Sequence, residues 1–170
     1  VSEARRLREA GLTRPLYVFG PITLDEVPEV ISLDLRAVVY GIAHIERYAS
    51  LASRDPTRPV RLHLKLETGN HRQGVAIEEA KELARRIIAS PHLRLEGISS
   101  HFANIEDTTD HTYADRQWAL FNQGAELVSC MIDDADARRG ERAPPLMRHV
   151  ANSAATILWP DRAMSLARVG

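Results

Sequence analysis

The chain of 170 residues is 44 % hydrophobic and 26 % charged, which provides for a substantial core and argues against disorder. Its formal net charge of -1 leaves no basic field to attract nucleic acid or an anionic membrane surface, so neither is expected as a partner. No apolar run approaches the roughly 18 residues that a transmembrane helix requires. The one cysteine, Cys130, excludes a disulfide within the chain and fits a reducing, cytoplasmic setting. Cys130 is expected in the core of a helix.

The chain opens on Val1 inside a helical pattern that runs to Ala10 and is closed by Gly11. Residues 15–19 read as a buried strand stopped by Gly20-Pro21, residues 24–31 as a short helix, 36–40 as a second strand and 42–52 as a helix. A loop is expected over 55–59 and a third strand over 60–67. Ile77, Ala80, Leu83, Ala84, Ile87 and Ile88 recur at helical spacing, so residues 76–89 should pack one face on a sheet. A fourth strand is expected over 93–100. A long helix follows over about 113–135, with Trp118, Phe121, Ala125 and Val128 on its inner face. An exposed loop over 138–145 leads to a fifth strand over 147–151, and 165–169 reads as a sixth.

Strands that alternate with helices pair in parallel through right-handed crossovers, leaving a doubly wound sheet or a (β/α) barrel. No Gly-x-Gly-x-x-Gly occurs, which counts against the dinucleotide-binding version of the former. About six strands in series, each ending in polar residues, suit a partial (β/α)8 TIM-type barrel with its chemistry at the C-terminal mouth.

Four segments carry that chemistry: Lys65-Leu-Glu-Thr-Gly-Asn-His-Arg-Gln-Gly74, Ser100-His-Phe-Ala103, His149-Val-Ala-Asn-Ser-Ala-Ala155 and Arg168-Val-Gly170. Taken alone, Arg72 reads as a solvated turn residue, His101 as a satisfied loop histidine and Asn152-Ser153 as a helix cap. In order and content, however, these segments resemble motifs of the alanine racemase family, and the resemblance covers nearly the whole chain.

The resemblance implies a pyridoxal 5'-phosphate cofactor and the following roles. Arg72 and Arg168 are the catalytic residues, Arg72 donating to the phenolic oxygen of the cofactor ring and Arg168 to its pyridine nitrogen. An arginine there weakens the ring as an electron sink and favours reprotonation at Cα over transamination. Related barrel decarboxylases place a carboxylate at that point. His101 packs flat under the ring, while Asn152, Ser153 and Gly170 receive the phosphate. Lys65 and His149 are supporting residues, Lys65 standing where the family can carry a carbamylated lysine. A simple pairing of Lys65 with Glu67 or another barrel carboxylate fits the residues equally well. Glu67 departs from the family's usual Asp. The acidic loop of Asn104, Glu106, Asp107 and Asp110 has no recognisable ligand spacing, and no metal is expected.

Racemisation also needs a Schiff-base lysine and an opposing base. Lys65 and Lys81 are the only lysines, and neither suits the first role. Tyr17, Tyr40, Tyr48 and Tyr113 match no position for the second. Residues 1–170 are therefore expected to be one partial, pyridoxal-phosphate-binding barrel domain cut at both ends and inactive alone. Its parent would be a homodimeric alanine racemase acting on L- and D-alanine for peptidoglycan synthesis. The alternatives are a broad-specificity, serine or lysine racemase of the same fold, or a non-catalytic pyridoxal-phosphate-binding barrel protein.

Overall fold

A computed structural model of the protein describes residues 1–52, 58–140 and 144–168. In chain order the elements are α1 (Ser2–Glu9), β1 (Leu16–Val18), α2 (Val27–Ser32), β2 (Leu35–Val39), α3 (Ile42–Ala52), β3 (Val60–Lys65), α4 (Ile77–Ala89), β4 (Leu93–Ser99), α5 (Thr112–Arg139), β5 (Met147–His149) and α6 (Ser153–Leu158). A 3-10 turn follows at Pro160–Ala163. The expected loops over 55–59 and 138–145 fall partly outside the described residues, and α5 itself continues to Arg139 before Gly140 closes it in the left-handed conformation at φ 67°.

The five strands pair in parallel in the order β1-β2-β3-β4-β5. Neighbouring strands lie about 4.8 Å apart, so four steps across a flat sheet would put β1 about 19 Å from β5. Instead the Tyr17 ring on β1 meets the His149 ring on β5 at 5.2 Å between centroids. The His63 ring on β3 stands 4.5 Å from Tyr17 and 5.0 Å from His149. The sheet is curled into a half barrel, and alternate strands supply one layer of inward side chains, as in a TIM barrel.

Strand β3 shows how the sequence produces the two faces. Leu62 and Leu64 are fully buried on the convex side, and α4 packs over β3 and β4 with Ala80, Leu83, Ala84 and Ile87 buried beneath it. The alternate residues Arg61, His63 and Lys65 turn to the concave side. The apolar core thus lies between sheet and helices, while the barrel interior is polar.

One irregularity interrupts the pairing. Leu62 lies opposite Leu95, yet His63 lies opposite Gly97, so Glu96 has no partner and forms a β-bulge. Gly97 then leaves room for the His63 ring: a Cβ there would sit 2.4 Å from His63 Nδ1. Because that ring is buried and hydrogen-bonded on both nitrogens, it cannot move aside. Gly97→Ala should cost about 1–3 kcal/mol of overpacking, read as a lower urea midpoint at unchanged slope. An unchanged midpoint would contradict the packing described.

Two expectations fail. Residues 165–168 form no sixth strand. Among the described residues, which exclude 169, they meet this stretch through two backbone bonds, Ser165 N–H to Arg148 O on β5 (3.0 Å) and Arg168 N–H to Ala151 O just after it (3.2 Å), too sparse for a ladder. Cys130 lies on α5 but is exposed. It follows the buried Val128 by two residues, about 200° round a helix, and so faces away from the sheet. Among the described residues no helix is long and apolar enough to cross a membrane.

Candidate active site

The C-terminal ends of β3, β4 and β5 and the segment before residue 169 meet at Arg168. Its Nη1 donates to His149 Nδ1 (2.8 Å) and to His149 O (3.2 Å). Its Nη2 donates to Ser100 O (2.8 Å), Val150 O (3.1 Å) and His101 Nδ1 (3.3 Å). The expected neighbours Arg168, His149 and His101 are therefore brought together. Burial first, with the positive charge of Arg168 nearby, pushes His149 down to about 2. Burial and Arg168 push His101 to about 4, so both imidazoles face the guanidinium as neutral acceptors.

Lys65 ends β3 and is 5 % exposed. Burial first, then Arg168 and Arg72, draws its ammonium down to about 8. Among the described residues it forms no ion pair. The carboxylate of Glu67 serves the turn instead, accepting from Gly69 N–H (2.5 Å) and Arg72 N–H (3.3 Å). These turn amides hold it below the usual carboxylate range against the effect of its burial. Leu66 and Val75 bridge the base of the turn, and Gly74 closes it at φ 124°, where a Cβ would strike Leu66 and Glu67 backbone at 2.6 Å. Arg72 leaves this turn as an exposed side chain.

Helix α5 fixes both loops. Gln117, fully buried, donates to His101 O (3.2 Å) and accepts from Ala103 N–H (3.0 Å). The Tyr113 hydroxyl donates to Gly69 O (2.8 Å). Asn152 caps α6, its Oδ1 accepting from Ala155 N–H (2.9 Å), and its Nδ2 donates to Glu106 (3.0 Å). Ser153 opens that helix. Gly170 lies outside the described residues. Among those residues no group of three or more His, Cys, Asp or Glu side chains could hold a metal ion.

Reading the sequence did not single out His63, Glu96, Tyr17 or Gln117 for the site. The polar residues at every second position of β3 were the available signal for His63. Burial lifts the Tyr17 phenol to about 12 against a hydrogen bond with Ser99, so it stays protonated beside the histidines.

These features define a parallel β/α half barrel whose strand ends converge on a cationic mouth. The chain belongs to the family of the alanine racemase N-terminal domain, whose model matches residues 1–170. It is 34 % identical to alanine racemase 2 of Oceanobacillus iheyensis over 171 residues, 100 % of this chain and 40 % of that one. Alanine racemase of Salinispora tropica is 35 % identical over 173 residues, again 100 % of this chain and 43 % of its own. Among solved structures, alanine racemase from E. faecalis superposes with a TM-score of 0.83 at 28 % identity, over 99 % of this chain and 42 % of that chain. A histidine racemase from Leuconostoc mesenteroides shares the fold, with a TM-score of 0.79 at 19 % identity over 100 % of this chain and 42 % of that one. The chain thus spans about two fifths of the length of the curated relatives it matches.

Proposed function

We propose that the chain forms the pyridoxal-phosphate-binding barrel of an amino-acid racemase, an alanine racemase that interconverts L- and D-alanine for peptidoglycan synthesis. The observation that carries this reading is the donor set at the mouth. Arg168, Lys65 and Arg72 gather there against two nearby carboxylates, Glu67 already occupied by turn amides and Glu106 by the Asn152 amide. Such an excess of positive charge suits a small ligand bearing a phosphate and a phenolate.

In this reading Arg168 donates to the pyridine nitrogen, and His149 holds its guanidinium in place. Arg72 would bind the phenolic oxygen from its turn, with Lys65 as a supporting residue. The neutral imidazole of His101 would pack against the ring and add no further positive charge. Ser153, Asn152 and Gly170 receive the phosphate, Asn152 chiefly by capping the helix start whose amides face the anion. When bound, the cofactor supplies the electron sink that acidifies Cα. Lys81 stands on α4, away from the mouth, and Lys65 is buried within the barrel. The proposal therefore assigns the covalent lysine and the opposing tyrosine base to parts of a cytoplasmic, homodimeric protein beyond these 170 residues.

Titrating the chain with pyridoxal phosphate and following its absorbance tests the reading. Saturable binding is expected, weakened in Ser153→Ala by about 1–3 kcal/mol for one charge-assisted hydrogen bond lost. Absence of saturation would overturn the cofactor reading, and equal affinity in Ser153→Ala would move the phosphate elsewhere.

A further inference from the structure

Arg168 is one end of a continuous chain of hydrogen bonds through the barrel interior. Beyond His149, the Nε2 of that residue lies 2.8 Å from His63 Nδ1, and His63 Nε2 lies 3.3 Å from Glu96 Oε2. Glu96 is held in turn by Arg36 Nε at 3.2 Å and Arg61 Nε at 3.5 Å. Both imidazoles are fully buried.

The direction of every bond follows from one fact: a guanidinium only donates. His149 Nδ1 must accept from Arg168, so the ring proton of neutral His149 is on Nε2. That proton points to His63 Nδ1, which must also accept, so the His63 proton is on its own Nε2 and points to Glu96. A carboxylate only accepts, and the relay therefore ends with a group of the required polarity. Two backbone features serve it. The bulge turns Glu96 to the concave side, and Gly97 leaves space for the His63 ring.

We propose that His63 and Glu96 are positioning residues for Arg168, fixing the tautomer of His149 so that its Nδ1 lone pair always faces the guanidinium. Reversing either imidazole would set N–H against N–H at Arg168 and release the side chain from the mouth. The inference deepens the cofactor role assigned above to Arg168, but it concerns the unliganded protein and can be tested there.

The experiment is long-range 15N–1H correlation NMR on the full chain with labelled histidine and no cofactor. His149 and His63 are expected as neutral Nε2–H tautomers at pH 7. Either ring as Nδ1–H, or His63 as an imidazolium, overturns the relay whatever any variant does. A second measurement separates positioning from packing. In His63→Asn the amide oxygen takes the place of Nδ1 and should keep the His149 tautomer. In His63→Gln the polar end lies at Nε2 instead, and the Arg168 guanidinium protons should exchange at least about tenfold faster, a loss of about 1.4 kcal/mol. Equal behaviour of the two variants, each with native circular dichroism, overturns the positioning role. Since no cofactor is present, failure here leaves the cofactor reading standing, and failure to bind pyridoxal phosphate leaves the relay standing.

Discussion

Lowering the pH from 6.5 to 4 should remove about 3 kcal/mol or more of folding stability, much of it between pH 6.5 and 5, above the ordinary carboxylate range. The cause is the pair of imidazoles beside Arg168. His149 binds a proton at about 2 in the folded chain and His101 at about 4, whereas both bind near 6.5 when unfolded. Their depressed values mean that the unfolded state takes up protons first, so stability is fully present above pH 6.5 and falls as the pH drops. At about 1.4 kcal/mol per unit, His149 alone accounts for about 3 kcal/mol by pH 4. His101 adds less, because water at the open mouth screens it. Urea titrations at closely spaced pH values measure the slope. His149→Asn keeps an acceptor for Arg168 and removes the titration, so its slope between pH 6.5 and 4.5 should be much flatter. Parallel curves for the two proteins would sink this account.

Arg168→Ala should lower stability by about 3 kcal/mol at neutral pH. The substitution removes the donors to three backbone carbonyls, those of Ser100, His149 and Val150, and to the His149 ring. Each buried acceptor left alone costs about 1–3 kcal/mol. The total stays below the sum because water can enter at the mouth and because Lys65 loses a repulsive neighbour. Arg168→Lys should recover only part, since a single ammonium cannot span acceptors fixed to a planar fork. A loss under about 1 kcal/mol in Arg168→Ala would show that Arg168 does not tie the strand ends together.

What could be read from the sequence was whatever repeats locally. The helical spacing of Ile77 to Ile88, the alternation of residues 60–65 and the strand-helix succession led to the parallel barrel architecture that the structure shows. The expected meeting of His101, His149 and Arg168 also stands as geometry. What escaped depends on approach between distant residues. Gly97 inside β4 is the available signal of a bulge or a close approach, but which residue is extra is defined only by the opposing strand. The Ser165 to Arg168 run has strand composition but makes too few bonds to β5 for a ladder. Glu67 stood as a departure from aspartate and as one of several carboxylates open to Lys65; its carboxylate instead accepts from the turn amides, which only the folded turn brings within reach.

The bulge in β4 also separates two kinds of dependence. With Glu96 deleted, Leu62 opposite Leu95 and His63 opposite Gly97 would simply become consecutive rungs, and Ile98 and Ser99 would keep their present faces. The sheet can thus be assembled without this residue, whereas the buried histidines lose their terminal acceptor. A one-residue shortening of β4 is accordingly a silent change for strand order and a specific one for the barrel interior, so length variation at this point among related chains would report on the interior polar network rather than on the fold.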